Sequence, residues 1–245
     1  MEEQIFTPEQ SRKIVDTLIV GYNNYLNERI TKYREMAVSD GYAWTKANHI
    51  DDAFAKAYKK GELDFITDFN LERAGQSWGY LEFEGESRLG KTLIIIKNMT
   101  RLSQTFEKSS DRQPSQYLLD YAQISIPFIK KHIGDYDGFA EQVVLDILPV
   151  KENYHVPLET VREKFEEFFV IVYESNAYAQ LQSVQVVVLN PENQQIVPVQ
   201  DLTMYLAESS IPQVEAFEIF EVKEELPEGP GDYGFVAKSV PKEDE

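Results

Sequence analysis

The hydrophobic period of this chain changes near Gly75, and that change limits the folds open to it. Upstream, the stripe residues recur three or four positions apart, at Ile14, Leu18, Tyr22, Tyr25 or Leu26, Arg29 or Ile30, Tyr33 and Ala37. That spacing places one apolar stripe on one face of a helix. Thr7-Pro8-Glu9-Gln10 predicts its start, with Thr7 as cap, Pro8 in the first turn and Gln10 placed to close a capping box. Ser39-Asp40-Gly41 ends it. A second helix is expected over 42–59, with Ala43, Ala47, Ile50, Phe54 and Tyr58 on one face and Gly61 as its stop. Two helices across so short a break imply an antiparallel helical hairpin.

Downstream the pattern turns to strands. Residues 78–84 and 92–98 read as a pair joined by a hairpin loop. Residues 109–116 are polar and contain Pro114, a loop or boundary. The stretch 117–132 is left open because Pro127 interrupts any helix through it. Helices are expected over 139–148 and 158–169, then strands over 169–173, 184–189, 196–199 and 217–222. Asn190-Pro191-Glu192-Asn193 forms a turn between two of these strands, and Asp201 caps a short helical turn over 202–206. The strands gather together instead of alternating with helices. The expected class is therefore α+β: an N-terminal helical hairpin, then a largely antiparallel mixed sheet with flanking helices. The chain divides into a helical region 1–75 and an α+β region 76–245, or forms one continuous domain.

A hydrophobic fraction of 42% with 12% aromatics supplies a real core and excludes disorder as a description of the whole. The absence of cysteine removes disulfides, thiol nucleophiles and thiolate metal sites, and fits a reducing cytoplasm. The acidic start Met1-Glu2-Glu3-Gln4 does not resemble a signal peptide. Apolar runs such as 93–96 fall far short of the roughly 20 residues a membrane helix needs, so no membrane partner is expected.

Charge is divided unevenly. Residues 1–110 carry 15 Lys/Arg against 17 Asp/Glu, whereas residues 111–245 carry 9 against 25, so nearly all of the net −18 lies in the later segment. A field of that sign repels nucleic-acid backbones and attracts basic partners.

Several motifs invite chemistry. Gly85-Glu86-Ser87-Arg88-Leu89-Gly90-Lys91-Thr92 matches G-x-x-x-x-G-K-[ST] in full. In a phosphate-binding loop Gly85 and Gly90 free the backbone, Lys91 reaches the phosphates, and Thr92 ligates Mg²⁺ at the start of a helix. Here the residues before it alternate with acid (Leu81-Glu82-Phe83-Glu84), and those after it favour a strand, so a polar hairpin loop is the competing expectation. Phe220-Glu221-Val222-Lys223 carries the E-x-K triplet of a metal-dependent nuclease strand, in which Glu221 holds the metal, Lys223 orients water and Asp201 is the nearest second acid. The acidic surroundings argue against a polyanionic substrate. Gly229 to Gly234 matches G-x-G-x-x-G too close to the end for a βαβ unit. His49, His132 and His155 have no metal spacing, and Asp135-Tyr136-Asp137-Gly138 suits a capped turn better than a calcium loop. Glu82 and Glu84 share one strand face, either as a carboxylate pair or as a solvated edge above inward Leu81 and Phe83. Lys56, Lys59 and Lys60 beside Tyr58 form the one candidate basic patch for nucleic acid, although cations also favour a helix end.

No coherent catalytic constellation emerges, and no cofactor is expected. The expected function is that of a non-catalytic interaction protein with a basic protein partner, in an inhibitor, antitoxin-like or nucleic-acid-mimicking role. Glu215, Glu218, Glu221, Glu224 and Glu225 are its partner-binding candidates. The alternatives are nucleotide binding at Gly85, Gly90, Lys91 and Thr92, and nuclease chemistry at Glu221 and Lys223.

Overall fold

The computed structural model describes residues 4–74, 78–107, 114–133 and 164–216. Helix α1 (Pro8–Glu35) begins as predicted: the Thr7 hydroxyl accepts the Gln10 N–H at 3.2 Å, and the Gln10 side chain accepts the Thr7 N–H at 2.8 Å. A 3₁₀ turn (Asp40–Thr45) leads into α2 (Lys46–Lys59). Past α2, the Gly61 N–H reaches Tyr58 O at 2.8 Å and the Glu62 N–H reaches Ala57 O at 3.0 Å, the paired bonds of a Schellman ending. Gly21 of α1 lies against Ile50 and Ala53 of α2, and Tyr25 lies against His49, so the two helices run antiparallel.

Among the described residues six strands form one sheet in sequence order: β1 (Ile66–Ala74), β2 (Trp78–Ser87), β3 (Gly90–Asn98), β4 (Glu167–Ser175), β5 (Leu181–Asn190) and β6 (Gln195–Asp201). All neighbours pair antiparallel except β3 and β4, which are parallel. A parallel pair needs a crossover. Among the described residues it passes through α3 (Met99–Phe106), α4 (Gln116–Ala122) and α5 (Ile126–His132). Pro127 stands in the first turn of α5, after a 3₁₀ stretch, where its missing N–H costs nothing. Helix α6 (Met204–Glu208) follows Asp201, whose carboxylate accepts the Thr203 N–H at 2.8 Å.

The central strands are apolar on both faces. Phe169, Ile171 and Tyr173 of β4 meet α1 and α2, while Phe168, Val170 and Val172 meet α3 and α4. Helices thus cover both sides of the sheet. The core shared by α1, α2 and the sheet runs without a break past residue 75, and Ala74 pairs with Trp78 across it. Three boundaries differ from expectation. Strand β1 appears where no strand was predicted, β4 starts at Glu167, and the loop expected over 85–91 shrinks to Arg88 and Leu89. The helix expected over 139–148 and the strand over 217–222 lie outside the described residues.

Candidate functional site

Strands β2 and β3 pair from Ser87 and Gly90 only as far as Phe83 and Ile94. Beyond that point β2 pairs with β1 alone, and β3 with β4 alone. The outer half of the β1–β2 hairpin therefore leaves the sheet. Asp51 of α2 fills the seam: its carboxylate accepts the Leu81 N–H at 3.0 Å, in place of the carbonyl that β3 no longer offers. Burial pushes the Asp51 carboxyl up to about 7, against the opposing pull of the Leu81 N–H and Lys97.

Polar and aromatic side chains pack on the other face of this seam. Lys97 lies 5.5 Å from the ring centres of both Tyr80 and Tyr117. Tyr80 donates to the buried Glu82 carboxylate at 2.8 Å, and Tyr121 donates to the same group. Burial raises the Glu82 carboxyl, and the two phenols oppose that rise. Burial first, then the adjacent Glu82 charge, pushes both phenols up, so they act as donors.

The same face extends outward as a run of acid. Asp68 stands directly opposite Glu84, Asn70 opposite Glu82, and Glu72 opposite Tyr80. Asp68 is exposed and Glu72 half-buried. Glu84 accepts from Asn70 at 2.9 Å and is ion-paired with Lys164. Glu82 and Glu84 do share a face, but Glu82 is buried, where the Tyr80 and Tyr121 phenols donate to it. The available signal was the Tyr117/Tyr121 spacing, one helical turn apart beside Leu118 and Ala122.

Residues 85–92 form the β2–β3 turn. Gly90 has φ +120°, and a Cβ placed there would meet the Glu166 carboxylate. The Thr92 hydroxyl donates to Gly90 O at 2.9 Å, and the Ser87 hydroxyl accepts the Leu89 N–H at 3.1 Å. Lys91 pairs across the hairpin with Glu86. A Cβ on Gly85 would lie 2.7 Å from Phe65 O, so this glycine serves close strand packing. A phosphate loop needs a helix N-terminus after Thr92, but strand β3 runs on to Asn98. Next to this turn, Glu167 is buried and its carboxyl is pushed up to about 8, first by burial and then by Glu166.

The other candidates that fall among the described residues lie away from this seam. Glu215 is exposed beside the stretch that ties Gln213 to Leu181 and Val214 to Asn23. Glu218, Glu221, Lys223, Glu224, Glu225 and His155 lie outside the described residues. Lys56 and Lys60 are ion-paired with Asp52 and Glu62, and Lys59 lies over Phe69, so the basic patch is largely neutralised. His132 stacks on Phe128 at 4.7 Å. Among the described residues, no His/Asp/Glu group is placed to hold a metal, and no helix is long and apolar enough to cross a membrane. A shallow hollow of about 260 Å³, lined by Thr7, Asp64, Glu86 and Arg88, does not include Asp51 or Glu82. Comparison with protein-family models, with curated proteins and with solved structures found no match.

Proposed function

We propose that this is a non-catalytic binding protein for a basic partner, and that the carboxylate face of the β1–β2 hairpin receives it. The observation that carries this is the cross-strand pair Asp68 and Glu84, two acidic residues opposite each other in the strand register with Glu72 on the same face. Like charges in that position cost roughly 0.2–1 kcal/mol. A cation set between them removes the cost, as Lys164 already does in part for Glu84. Lysine or arginine from a partner would relieve the rest and add charge-assisted hydrogen bonds. The net −18 supplies long-range attraction and speeds encounter. In this proposal Glu215, Glu218, Glu221, Glu224 and Glu225 contribute to that attraction, and the hairpin supplies the contact.

Calorimetric titration with oligolysine at low and high salt tests it. The wild-type protein binds at low salt and weakens as salt rises. The combined variant Asp68→Asn, Glu72→Gln, Glu84→Gln weakens binding by about tenfold or more. Unchanged affinity in that variant would refute the assignment to this face.

A further inference from the structure

Among the described residues no strand pairs with the outer edge of β1, and pairing parity shows which of its groups face outward. The Leu81 N–H points away from β1, at Asp51. Leu71 and Leu81 are therefore a non-hydrogen-bonded pair, and the pairs on either side, Asn70–Glu82 and Glu72–Tyr80, carry the ladder bonds. It follows that Thr67, Phe69 and Leu71 aim their backbone groups at the outer edge. The first part of this edge is already engaged. Thr67 O accepts from the Tyr58 hydroxyl at 2.7 Å, and the Phe69 N–H donates to the Asp68 carboxylate at 2.8 Å. Leu71 comes next, and its side chain is 69% exposed on the face opposite the acids.

We infer that this edge takes an extended peptide as a seventh strand, and that the peptide alternates aliphatic residues with lysine or arginine. Side chains of an added strand point alternately to the two faces. One set would lie beside Leu71 and Phe69, with Lys59 over the Phe69 ring. The other would lie beside Asp68 and Glu72, where cations are favoured. A second copy of the chain is disfavoured in one register. An antiparallel β1 centred on Asn70 would set Asp68 against Glu72 twice, with like charges opposed.

This inference rests on the basic-partner proposal and narrows it. The test uses the full chain and three short synthetic peptides. One alternates lysine with valine, one has the same sequence with alternate amides N-methylated on the pairing edge, and one carries glutamate in place of lysine. The Lys–Val peptide binds and slows hydrogen exchange at the Leu71 amide by about tenfold or more. N-methylation weakens binding by about tenfold, and the glutamate peptide does not bind. Leu71→Pro removes one outward N–H and leaves the ladder to β2 intact, because that N–H faces away from it. It weakens the Lys–Val peptide and leaves oligolysine affinity unchanged. Leu71→Ser, which keeps the N–H, loses less. Equal binding of the N-methylated and parent peptides would overturn strand addition while leaving the basic-partner proposal standing. Failure of the Lys–Val peptide and of oligolysine together would overturn both. A concentration-dependent dimer in sedimentation, abolished by Leu71→Pro, would assign the edge to a second copy and overturn the peptide.

Discussion

Strands β4 and β1 are both nine residues long, yet they occupy opposite environments. The first seven residues of β4 are buried, and it has neighbours on both edges and helices on both faces. Strand β1 is buried only at Ile66, is exposed or half-buried after that, and has one neighbour among the described residues. A strand in the first position is held by packing on every side. A strand in the second is held mainly by its pairing with β2, and its outer part is free to present side chains and backbone to something else. The residues follow this division: Phe168 to Tyr173 are all apolar, whereas Asp68, Asn70, Glu72 and Arg73 interrupt β1.

Substitutions should separate the two strands clearly. Phe169 is fully buried and packs edge-on to Phe128. Phe169→Ala should lower stability by about 3–5 kcal/mol in urea unfolding. Leu71→Ala, at a largely exposed position, should stay within about 0.5 kcal/mol of wild type. Comparable losses at the two sites would break the contrast.

The seam between the two regions should respond to pH. Asp51 has a carboxyl raised from 3.8 to about 7, so the folded chain holds a proton that the unfolded chain has already released. Its contribution to stability is therefore present at low pH and declines as pH rises from about 4 to about 7. Asp51→Asn keeps an acceptor for the Leu81 N–H and removes the ionisation. The variant should lose that slope and be more stable than wild type above pH 7 by about 1–3 kcal/mol, measured by unfolding across pH. A slope that persists in the variant would place its origin elsewhere. Tyr121→Phe should have a smaller effect, about 1–2 kcal/mol, because Glu82 keeps the Tyr80 hydrogen bond.

Those same differences decided what could be read in advance. The helix pair, the β2–β3 and β5–β6 hairpins and the mixed sheet were legible, because capping residues, periodic apolar positions and turn residues act locally. Strand β1 was not. Past Ile66 only Phe69 and Leu71 mark its apolar face, and an edge strand with polar residues at Thr67, Asp68, Asn70 and Glu72 leaves little hydrophobic pattern to detect. The turn at Arg88–Leu89 was too tight to predict, because the Ser87 and Thr92 hydroxyls that serve its backbone look like ordinary loop residues. The site was less legible than the fold. Asp51 reads as one acid on a helix, and its contact with Leu81 depends on β2 leaving β3, a long-range event that no short motif reports.

Locality of the acid is the central claim, and a matched pair of variants measures it. One neutralises Asp68, Glu72 and Glu84 on the hairpin. The other neutralises Glu35, Glu192 and Glu215, which are exposed and belong to other parts of the molecule. Both remove the same charge from the net −18. Oligolysine affinity at low salt should fall by about tenfold or more in the hairpin variant and by less than about threefold in the other. Equal losses in the two would show that net charge alone attracts the cation, and would contradict a binding face on β1 and β2.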